Sequence, residues 1–310
     1  MVTSPSSWRV YQFRHLGAAL ALGGTGPRER TEVYHARWGR QGSPGDTMRG
    51  MTLRRYRRIQ EVLRYRQPDL TLLAEDVHKP HNLSAMLRTA DAVGVDRVHA
   101  THPTGDVPTF SATSASAERW VELIVHPSLD AALAAVRAEG MRVYAAHFAP
   151  DAVDFREVDY TVPTCVLFGN ERDGVSAAAA EAADARIVIP MLGMVPSLNV
   201  SVATALVMFE AQRQRRAAGA YDAPRLTAAE RDARTVTWLY PRQAARLRSA
   251  GLPLPALTPE GELPAHTLAL LSRLPAGSLA ADDPEPDQAD EPALAATPGE
   301  GLTSERHPPS

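Results

Sequence analysis

The sequence lacks the features that mark disulfide-bonded, secreted and membrane-spanning proteins. Its 310 residues include one cysteine, Cys165, which excludes an internal disulfide framework and a cysteine-based metal site. No stretch reaches the roughly 18 to 20 uninterrupted apolar residues of a membrane span, so we expect no membrane partner. The short apolar segment at residues 16–22 has no convincing cleavage site after it and does not predict a signal peptide. An ordinary reducing cytoplasm fits this composition best.

The signatures of several common enzyme classes are also missing. The sequence has no Walker-type Gly-Lys-Ser loop, no Gly-x-Gly-x-x-Gly after a first strand and no Gly-x-Ser-x-Gly elbow. Among the ten histidines, His78 and His81 stand three positions apart, but no third ligand is evident nearby. We therefore expect no metal ion and no serine nucleophile of the hydrolase type.

Alternating strands and helices predict an α/β domain. Such alternation is typical of a mostly parallel sheet flanked by helices, whose ligands bind at loops leaving the carboxyl ends of the strands. Strands are predicted over residues 70–74, 97–100, 120–126, 142–146, 164–168 and 186–189. Helices are predicted over residues 82–93, 129–139, 177–183 and 198–216, and two short ones over 226–239 and 241–249.

The segments around this domain differ from it in composition. Residues 1–47 carry Ser-Pro, Gly-Gly and Gly-Pro breakers without sustained periodicity, so we expect a poorly structured extension. A basic helical segment over 48–69 precedes the main domain at 70–222, and a small helical appendage spans 223–275. Residues 276–310 interleave acidic residues with prolines and predict an acidic disordered tail.

The helix predicted over residues 53–66 is amphipathic and rich in arginine. It has six arginines and no lysine, and guanidinium groups bind phosphate in a two-pronged geometry. We therefore expect this helix to contact RNA, against the alternative of a solvated helix face. The six candidates are Arg54, Arg55, Arg57, Arg58, Arg64 and Arg66.

A loop with two histidines and a lysine precedes the helix predicted to begin at Asn82. An asparagine there is suited to cap the helix, which alone would explain it. His78, Lys79, His81 and Arg88 add positive charge around the expected helix N-terminus, where anions bind. The loop therefore predicts either a simple helix cap or a phosphate site.

Two further loops leave the carboxyl ends of predicted strands. In the first, Gly169 would let a ligand approach the backbone closely, and Glu171 follows it as either a functional or a simply exposed carboxylate. The second, over residues 189–199, is apolar and flexible and suits an adaptable apolar pocket. In that loop Ser197 and Asn199 are good cap residues for the following helix.

The helix after this last loop repeats apolar residues at helical spacing, which predicts that they are chiefly core. The residues concerned are Leu198, Val202, Ala205, Leu206 and Phe209.

Together, the three loops resemble motifs one, two and three of the TrmH (SpoU) family of SPOUT methyltransferases. The matching segments, in this order, are HKPHNLSAMLRTADAVGV, VLFGNERDGVS and IPMLGMVPSLNVSVATALVMFEAQRQR. The resemblance covers residues 48–225 and, more weakly, 240–262. It is closest to the branch that methylates the D loop of tRNA, so the implied product is 2'-O-methylguanosine at tRNA position 18.

The resemblance implies an α/β SPOUT fold with a deep trefoil knot, S-adenosylmethionine as the methyl donor, and a homodimer with its active site near the subunit interface. Knots are rare exceptions among protein folds. The positions that match the family's functional polar residues are Asn82, Arg88, Glu171, Ser197 and Asn199. The positions that match its donor contacts are Ala146, Gly169, Ile189, Ser197 and Leu198. Related members often carry threonine at Ala146 and glutamine at Pro196.

The implied reaction transfers a methyl group from a sulfonium to a ribose hydroxyl without a metal. The donor needs only orientation, whereas the hydroxyl must lose its proton as it attacks. Arg88 is either the base or, because guanidinium stays protonated in proteins, a clamp for phosphate and developing alkoxide. We favour the clamp. Asn82 would orient Arg88, while Asn199 and Ser197 would shape the donor loop and Glu171 would hold it.

Two other functions stay open at this stage. One is an rRNA 2'-O-methyltransferase of the same superfamily, although many of those carry a separate N-terminal RNA-binding domain for which residues 1–47 are too short. The other is a non-catalytic RNA-binding relative, although all five polar motif residues are present.

Overall fold

The computed structural model describes residues 48–102 and 117–274, with the side chains of all of these except residues 48–52 and 118. The predictions for residues 1–47 and for the acidic tail at 276–310 lie outside the described residues. Among the described residues, no helix is both long and apolar enough to span a membrane.

A seven-stranded sheet forms the centre of the described chain. Its order is β3-β2-β1-β6-β4-β7-β5, and every pair of neighbouring strands is parallel. The strands are β1 (Leu70–Glu75), β2 (Arg97–Thr101), β3 (Glu122–His126), β4 (Arg142–Ala146), β5 (Val153–Asp154), β6 (Thr164–Phe168) and β7 (Ala185–Val188). The predicted α/β class with a mostly parallel sheet is confirmed, and the trefoil knot stays a prediction.

Helices cover both faces of this sheet, so its central strands are buried on both sides. β1 and β6 are adjacent and every residue in them is buried, as expected for apolar strands in a parallel sheet. Leu72 packs on one face with α2 (Pro80–Val93) and α6 (Val200–Ala217). Leu73 packs on the other with α4 (Leu129–Ala138) and α5 (Ala177–Ala182).

The remaining helices are α1 (Met48–Arg64), α3 (Ala117–Trp120), α7 (Ala228–Leu239), α8 (Pro241–Ser249) and α9 (Ala265–Leu271). Of these, α3 contributes Ala117 to the larger core cluster, and the others lie outside this three-layer core. α1 packs through Ile59 and Leu63 against Leu226 and Leu239 of the appendage. The basic helix and the appendage therefore share one small apolar cluster.

Three short elements, α3, β5 and α9, were not predicted from the sequence. The predicted strand at 120–126 starts later, at Glu122. β5 has two residues, too few to show an alternating pattern. The residues before Glu122 instead form α3, whose Trp120 packs edge-to-face on Trp238 of α7.

Arg66 is a structural residue, so its predicted contact with RNA is wrong. Its side chain is fully buried and donates hydrogen bonds to the carbonyls of Val95 (2.6 Å) and Trp120 (2.9 Å) and to the Asp91 carboxylate (2.6 Å). A buried charge persists in a protein only when it is paired and hydrogen bonded. The guanidinium is thus used inside the fold and does not face solvent.

The prediction that the apolar stripe on α6 is chiefly core is also wrong. Val202, Leu206 and Phe209 are about half exposed, at 48%, 42% and 49%. The buried side of α6 is formed by Thr204, Val207, Met208, Ala211 and Arg215. Helical spacing reveals an apolar stripe, but it does not distinguish a stripe that faces the core from one that faces outward.

Candidate active site

The three motif loops lie at one edge of the sheet, because each follows the carboxyl end of a strand. Residues 76–79 follow β1, residues 169–174 follow β6, and residues 189–199 follow β7. β1 and β6 are direct neighbours, and β4 separates β6 from β7. This edge is where parallel sheets place ligand-binding loops.

The first turn of α2 contains Asn82, so of the two interpretations offered for this loop, the one in which Asn82 caps the helix is wrong. The helix begins at Pro80 with Lys79 as its N-cap, and Lys79 makes no side-chain capping bond. Proline fits the first helical turn because its missing N–H would have no partner there. Asn82 is buried within the turn, with 1% of its surface exposed.

The carboxylate of Glu171 binds the N-terminus of α2 in place of a cap. It accepts hydrogen bonds from the backbone N–H groups of His78 (3.2 Å) and Lys79 (3.0 Å) and from Nδ2 of Asn82 (2.7 Å). The positive end of the helix dipole favours a negative charge at this place. The protein's own carboxylate thus occupies the anion position at this helix. Glu171 holds the first loop, and not directly the donor loop that the sequence analysis expected it to hold.

The ionised form of Glu171 is stabilised by this arrangement. Partial burial acts to raise the pKa of Glu171, but the hydrogen bonds from Asn82, Lys79 and His78 outweigh burial and hold the pKa below its usual value. Hydrogen bonds to a carboxylate favour its charged form. Glu171 is therefore a fixed negative charge at neutral pH.

Asn82 also reaches the third loop. Nδ2 of Asn199 donates to Oδ1 of Asn82 over 3.2 Å, while Oδ1 of Asn199 accepts from the backbone N–H of Ser201 over 2.9 Å. Asn199 thereby caps α6, as the sequence predicts. Glu171, Asn82 and Asn199 form one chain of hydrogen bonds that ties the three motif loops together.

Glycine is required at position 169 by the second loop itself. A Cβ built there would lie 1.9 Å from the backbone carbon of Gly174. The backbones of Asn170 and Gly174 exchange two hydrogen bonds of 3.1 Å, and Oδ1 of Asn170 accepts from the N–H groups of Arg172 and Asp173. The close approach expected of a ligand is thus made by the turn's own backbone.

Arg88 and Ser197 lie outside this hydrogen-bonded chain. Arg88 is exposed on α2, and Ser197 is exposed in the third loop with no side-chain hydrogen bond to another described residue. His78, Lys79 and His81 are exposed near the start of α2. Arg172, which the sequence analysis missed, has 91% of its side chain exposed beside Glu171. The internal carboxylate is thus bordered by exposed basic residues.

The predicted donor contacts lie on neighbouring strand ends. Gly169 follows β6, Ala146 ends β4, and Ile189 follows β7, which pairs with β4. Ala146 and Ile189 are partly buried and pack against the larger core cluster. Leu192 and Met194 between them and α6 are fully exposed. The edge therefore offers a largely apolar surface around three adjoining strands.

Backbone hydrogen bonding in the third loop is sparse among the described residues. There, the backbone groups of residues 189–198 take part in no backbone hydrogen bond outside regular helices and strands. A ligand with a flat heterocycle and a ribose needs an apolar wall and a few backbone partners. That an adenosyl group binds at this loop stays a prediction from the family resemblance.

Asp76, at the end of β1, has an unusual backbone conformation. Its φ is 50°, which among the described residues is the one positive value outside glycine. A non-glycine residue in this left-handed region costs on the order of 1 kcal/mol, and aspartate is among the few that adopt it. The sequence analysis did not identify Asp76. The feature that could have indicated it is an aspartate placed directly between a buried strand and a motif loop.

Comparison with known proteins agrees with the three motifs. The model of the SpoU rRNA Methylase family matches residues 69–209, and that of the C-terminal part of SpoU rRNA methylases matches residues 213–266. A tRNA (guanosine(18)-2'-O)-methyltransferase of Thermus thermophilus is 63% identical over 179 residues, which are 58% of this chain and 92% of the relative. That of Escherichia coli K12 is 47% identical over 213 residues, 68% of this chain and 93% of the relative.

A solved structure shows the same fold. The crystal structure of the A. aeolicus TrmH/SpoU tRNA modifying enzyme superposes with a TM-score of 0.59 and 40% sequence identity, covering 62% of this chain and 98% of that one. The sheet, the ordered motifs and the near full-length match to these relatives lead to one assignment. This chain belongs to the TrmH (SpoU) family of SPOUT methyltransferases.

Proposed function

We propose that this protein transfers a methyl group from S-adenosylmethionine to the ribose 2'-hydroxyl of guanosine 18 in tRNA. The observation that carries the proposal is the hydrogen-bonded chain of Glu171, Asn82 and Asn199, which joins the three family motifs at one edge of the sheet. The high identity to relatives named for this reaction specifies the nucleotide.

The methyl donor is held at the ends of β6, β4 and β7. S-adenosylmethionine supplies a methyl group on a positively charged sulfur, so the protein has only to orient it. Ala146, Ile189 and Leu198 provide the partly buried apolar wall. The backbone groups of residues 189–198, which make no backbone hydrogen bond outside regular helices and strands to the rest of the described chain, serve the adenine and ribose, with Gly169 and Ser197 at the margins of the site.

Arg88 binds the RNA next to the acceptor 2'-hydroxyl. It is exposed on α2, where its guanidinium can hold the RNA phosphate beside the reacting ribose and stabilise negative charge on the 2'-oxygen. Asn82 contributes by fixing the start of α2 to Glu171 and Asn199. Because Asn82 and Arg88 are on the same helix, the hydrogen bonds of the Asn82 amide fix the position of Arg88.

The exposed arginines of α1 contact the body of the tRNA. Arg54, Arg57, Arg58 and Arg64 are exposed, whereas Arg55 is partly buried and lies over the Trp120 ring. Arg58 pairs with Glu61 and Arg64 with the carbonyl of Asp222, contacts that water and phosphate can replace. Guanidinium–phosphate contacts supply sequence-independent affinity.

We propose further that the protein works as a homodimer in the cytoplasm. Val202, Leu206 and Phe209 present a half-exposed apolar stripe on α6, and Leu192 and Met194 lie fully exposed in the loop before it. Contiguous apolar surface of this kind marks an interface, and a two-fold axis would bury the same stripe of both subunits. A tRNA substrate supports the cytoplasmic location.

The proposed reaction is tested by methyl incorporation into unmodified tRNA transcripts with radioactive S-adenosylmethionine. We expect incorporation into wild-type transcript and none above background when guanosine 18 is replaced by adenosine. An rRNA transcript of similar length is the second substrate. Equal labelling of the substituted tRNA would contradict the choice of guanosine 18, and labelling of the rRNA alone would favour the rRNA enzyme. No labelling of any RNA would favour the non-catalytic relative.

Replacing Arg88 with alanine should stop transfer without weakening the donor site. Loss of a group that stabilises charge in the transition state lowers kcat about 100- to 1000-fold. Isothermal titration should show donor affinity within about twofold of wild type. Arg137→Ala, an exposed arginine of α4 on the opposite face of the sheet, is the matched control and should retain activity. Lost donor affinity in Arg88→Ala would refute the acceptor role.

Arg57 and Arg66 should respond in opposite ways to alanine substitution. Arg57→Ala should leave the melting temperature unchanged and reduce by about one the slope of log kcat/KM for tRNA against log salt, because one phosphate contact is lost. Arg66→Ala should lower the free energy of unfolding by about 3 kcal/mol, because a fully buried side chain is lost and the buried carbonyl of Val95 and the partly buried Asp91 lose their donor. A stable Arg66→Ala protein with a reduced salt slope would restore Arg66 to the RNA surface.

The dimer is tested by sedimentation of the full chain at micromolar concentration. Wild type should sediment as a dimer, and Leu206→Asp with Phe209→Asp should give a monomer that keeps its helical content, because both side chains are half exposed within one subunit. Leu270→Asp, at an exposed apolar position of α9, should stay dimeric. A monomeric wild type would rule out this interface.

A further inference from the structure

The junction between β1 and the first motif loop is built around Asp76. We propose that Asp76 is a positioning residue for methyl transfer, whose left-handed backbone and hydrogen bonds with Thr101 aim the His78 and Lys79 amides at Glu171. The proposal rests on the proposed function for the reaction that it serves. The geometry of the junction stands independently of the substrate.

The Asp76 conformation is imposed by a clamp to the neighbouring strand. Its backbone N–H donates to the carbonyl oxygen of Thr101 over 3.2 Å and lies 3.3 Å from Oγ1 of Thr101. The Thr101 hydroxyl donates in turn to Oδ1 of Asp76 over 2.9 Å. Thr101 is buried at the end of β2, the strand beside β1. Backbone and side chain of Asp76 are thus both fixed to one rigid partner.

The residues on either side of Asp76 are fixed as well. Glu75 is buried and accepts from the backbone N–H of Ser176 over 2.9 Å, which ties the end of β1 to the start of α5. Val77 is buried in the larger core cluster. Between these two anchors, the backbone angles of Asp76 decide the direction in which the chain leaves the strand.

That direction determines whether the next amides reach Glu171. The N–H groups of His78 and Lys79 converge on the two carboxylate oxygens of Glu171 at 3.2 and 3.0 Å. In an extended or right-handed conformation at Asp76, the chain would leave β1 along another path and these amides would separate from the carboxylate. Strained backbone is concentrated at functional sites for such reasons.

The effect on the reaction passes through α2. The loop fixes the first turn of α2, which carries Asn82 and, further along, the exposed Arg88. A small displacement of a positioned group reduces the chemical step far more than it reduces substrate binding. The donor surface at the ends of β6, β4 and β7 lies on strands other than β1, so donor affinity should change much less than the chemical step when Asp76 is replaced.

Four substitutions separate the backbone conformation from the hydrogen bond. Asp76→Asn keeps an acceptor oxygen and a residue that tolerates positive φ, Asp76→Gly keeps only the tolerance, and Asp76→Ala keeps neither. Thr101→Val removes the hydroxyl at nearly constant volume. Asp159→Ala is the matched control, because Oδ1 of Asp159 likewise binds the N–H (2.8 Å) and hydroxyl (2.6 Å) of Thr161 in the loop before the amino end of β6.

We expect kcat on tRNA transcript to fall about 10- to 100-fold in Asp76→Ala and in Thr101→Val. The KM for S-adenosylmethionine should change less than about twofold, because the donor surface is separate. The kcat of Asp76→Gly should lie between those of Asp76→Ala and wild type. The kcat of Asp76→Asn should lie within about threefold of wild type. Asp159→Ala should retain wild-type kcat.

Amide hydrogen exchange of the full chain gives a readout that does not depend on the substrate. Peptides containing His78 and Lys79 should exchange faster in Asp76→Ala and Thr101→Val than in wild type or Asp76→Asn. Unchanged exchange and kcat in Asp76→Ala would overturn the proposal, as would an equal loss of kcat in Asp159→Ala. If wild type left guanosine 18 unmethylated, the proposed function would fail, while the exchange data would still decide whether Asp76 positions the amides.

Discussion

The carboxylate of Glu171 at the N-terminus of α2 is the contact on which the active-site edge depends. Glu171 belongs to the second motif and accepts hydrogen bonds from Lys79 and Asn82 of the first. Asn82 in turn accepts a hydrogen bond from Asn199 of the third motif. Each of the three loops alone would be a surface segment with unpaired polar groups. Because one charged acceptor satisfies three donors, the loops hold one another in place without a metal or a disulfide among the described residues.

Most of the sheet could be predicted because its strands are short apolar runs that end in glycine, polar residues or histidine. β4 and β6 start and end as the sequence predicts, at Arg142–Ala146 and Thr164–Phe168. Helix starts were harder. α2 begins two residues before Asn82, because Pro80 occupies the first turn and Glu171, distant in sequence, replaces the cap. A capping group that arrives from another strand leaves no mark in the local sequence.

The errors at Arg66 and on α6 have a common physical cause. Composition and spacing show which residue types lie on one face of a helix. Whether that face is buried depends on the residues that pack against it. Arg66 follows five other arginines in sequence, yet Trp120, Val95 and Asp91 enclose it. The α6 stripe has core-like spacing, yet the described residues leave about half of Phe209 exposed. For the candidate site, the resemblance supplied residue types and the structure supplied their bonds, notably the link from Asn82 to Asn199.

The internal carboxylate also constrains how RNA is bound. A helix N-terminus commonly binds substrate phosphate through its free N–H groups, but here the amides of His78 and Lys79 are already used by Glu171. A phosphate that approached them would meet a negative charge. In the proposed reaction, phosphate is recognised by side chains around this point, of which Arg88 and Arg172 are exposed. An arginine that binds phosphate keeps its proton, so we propose that Arg88 clamps the acceptor and does not act as its base.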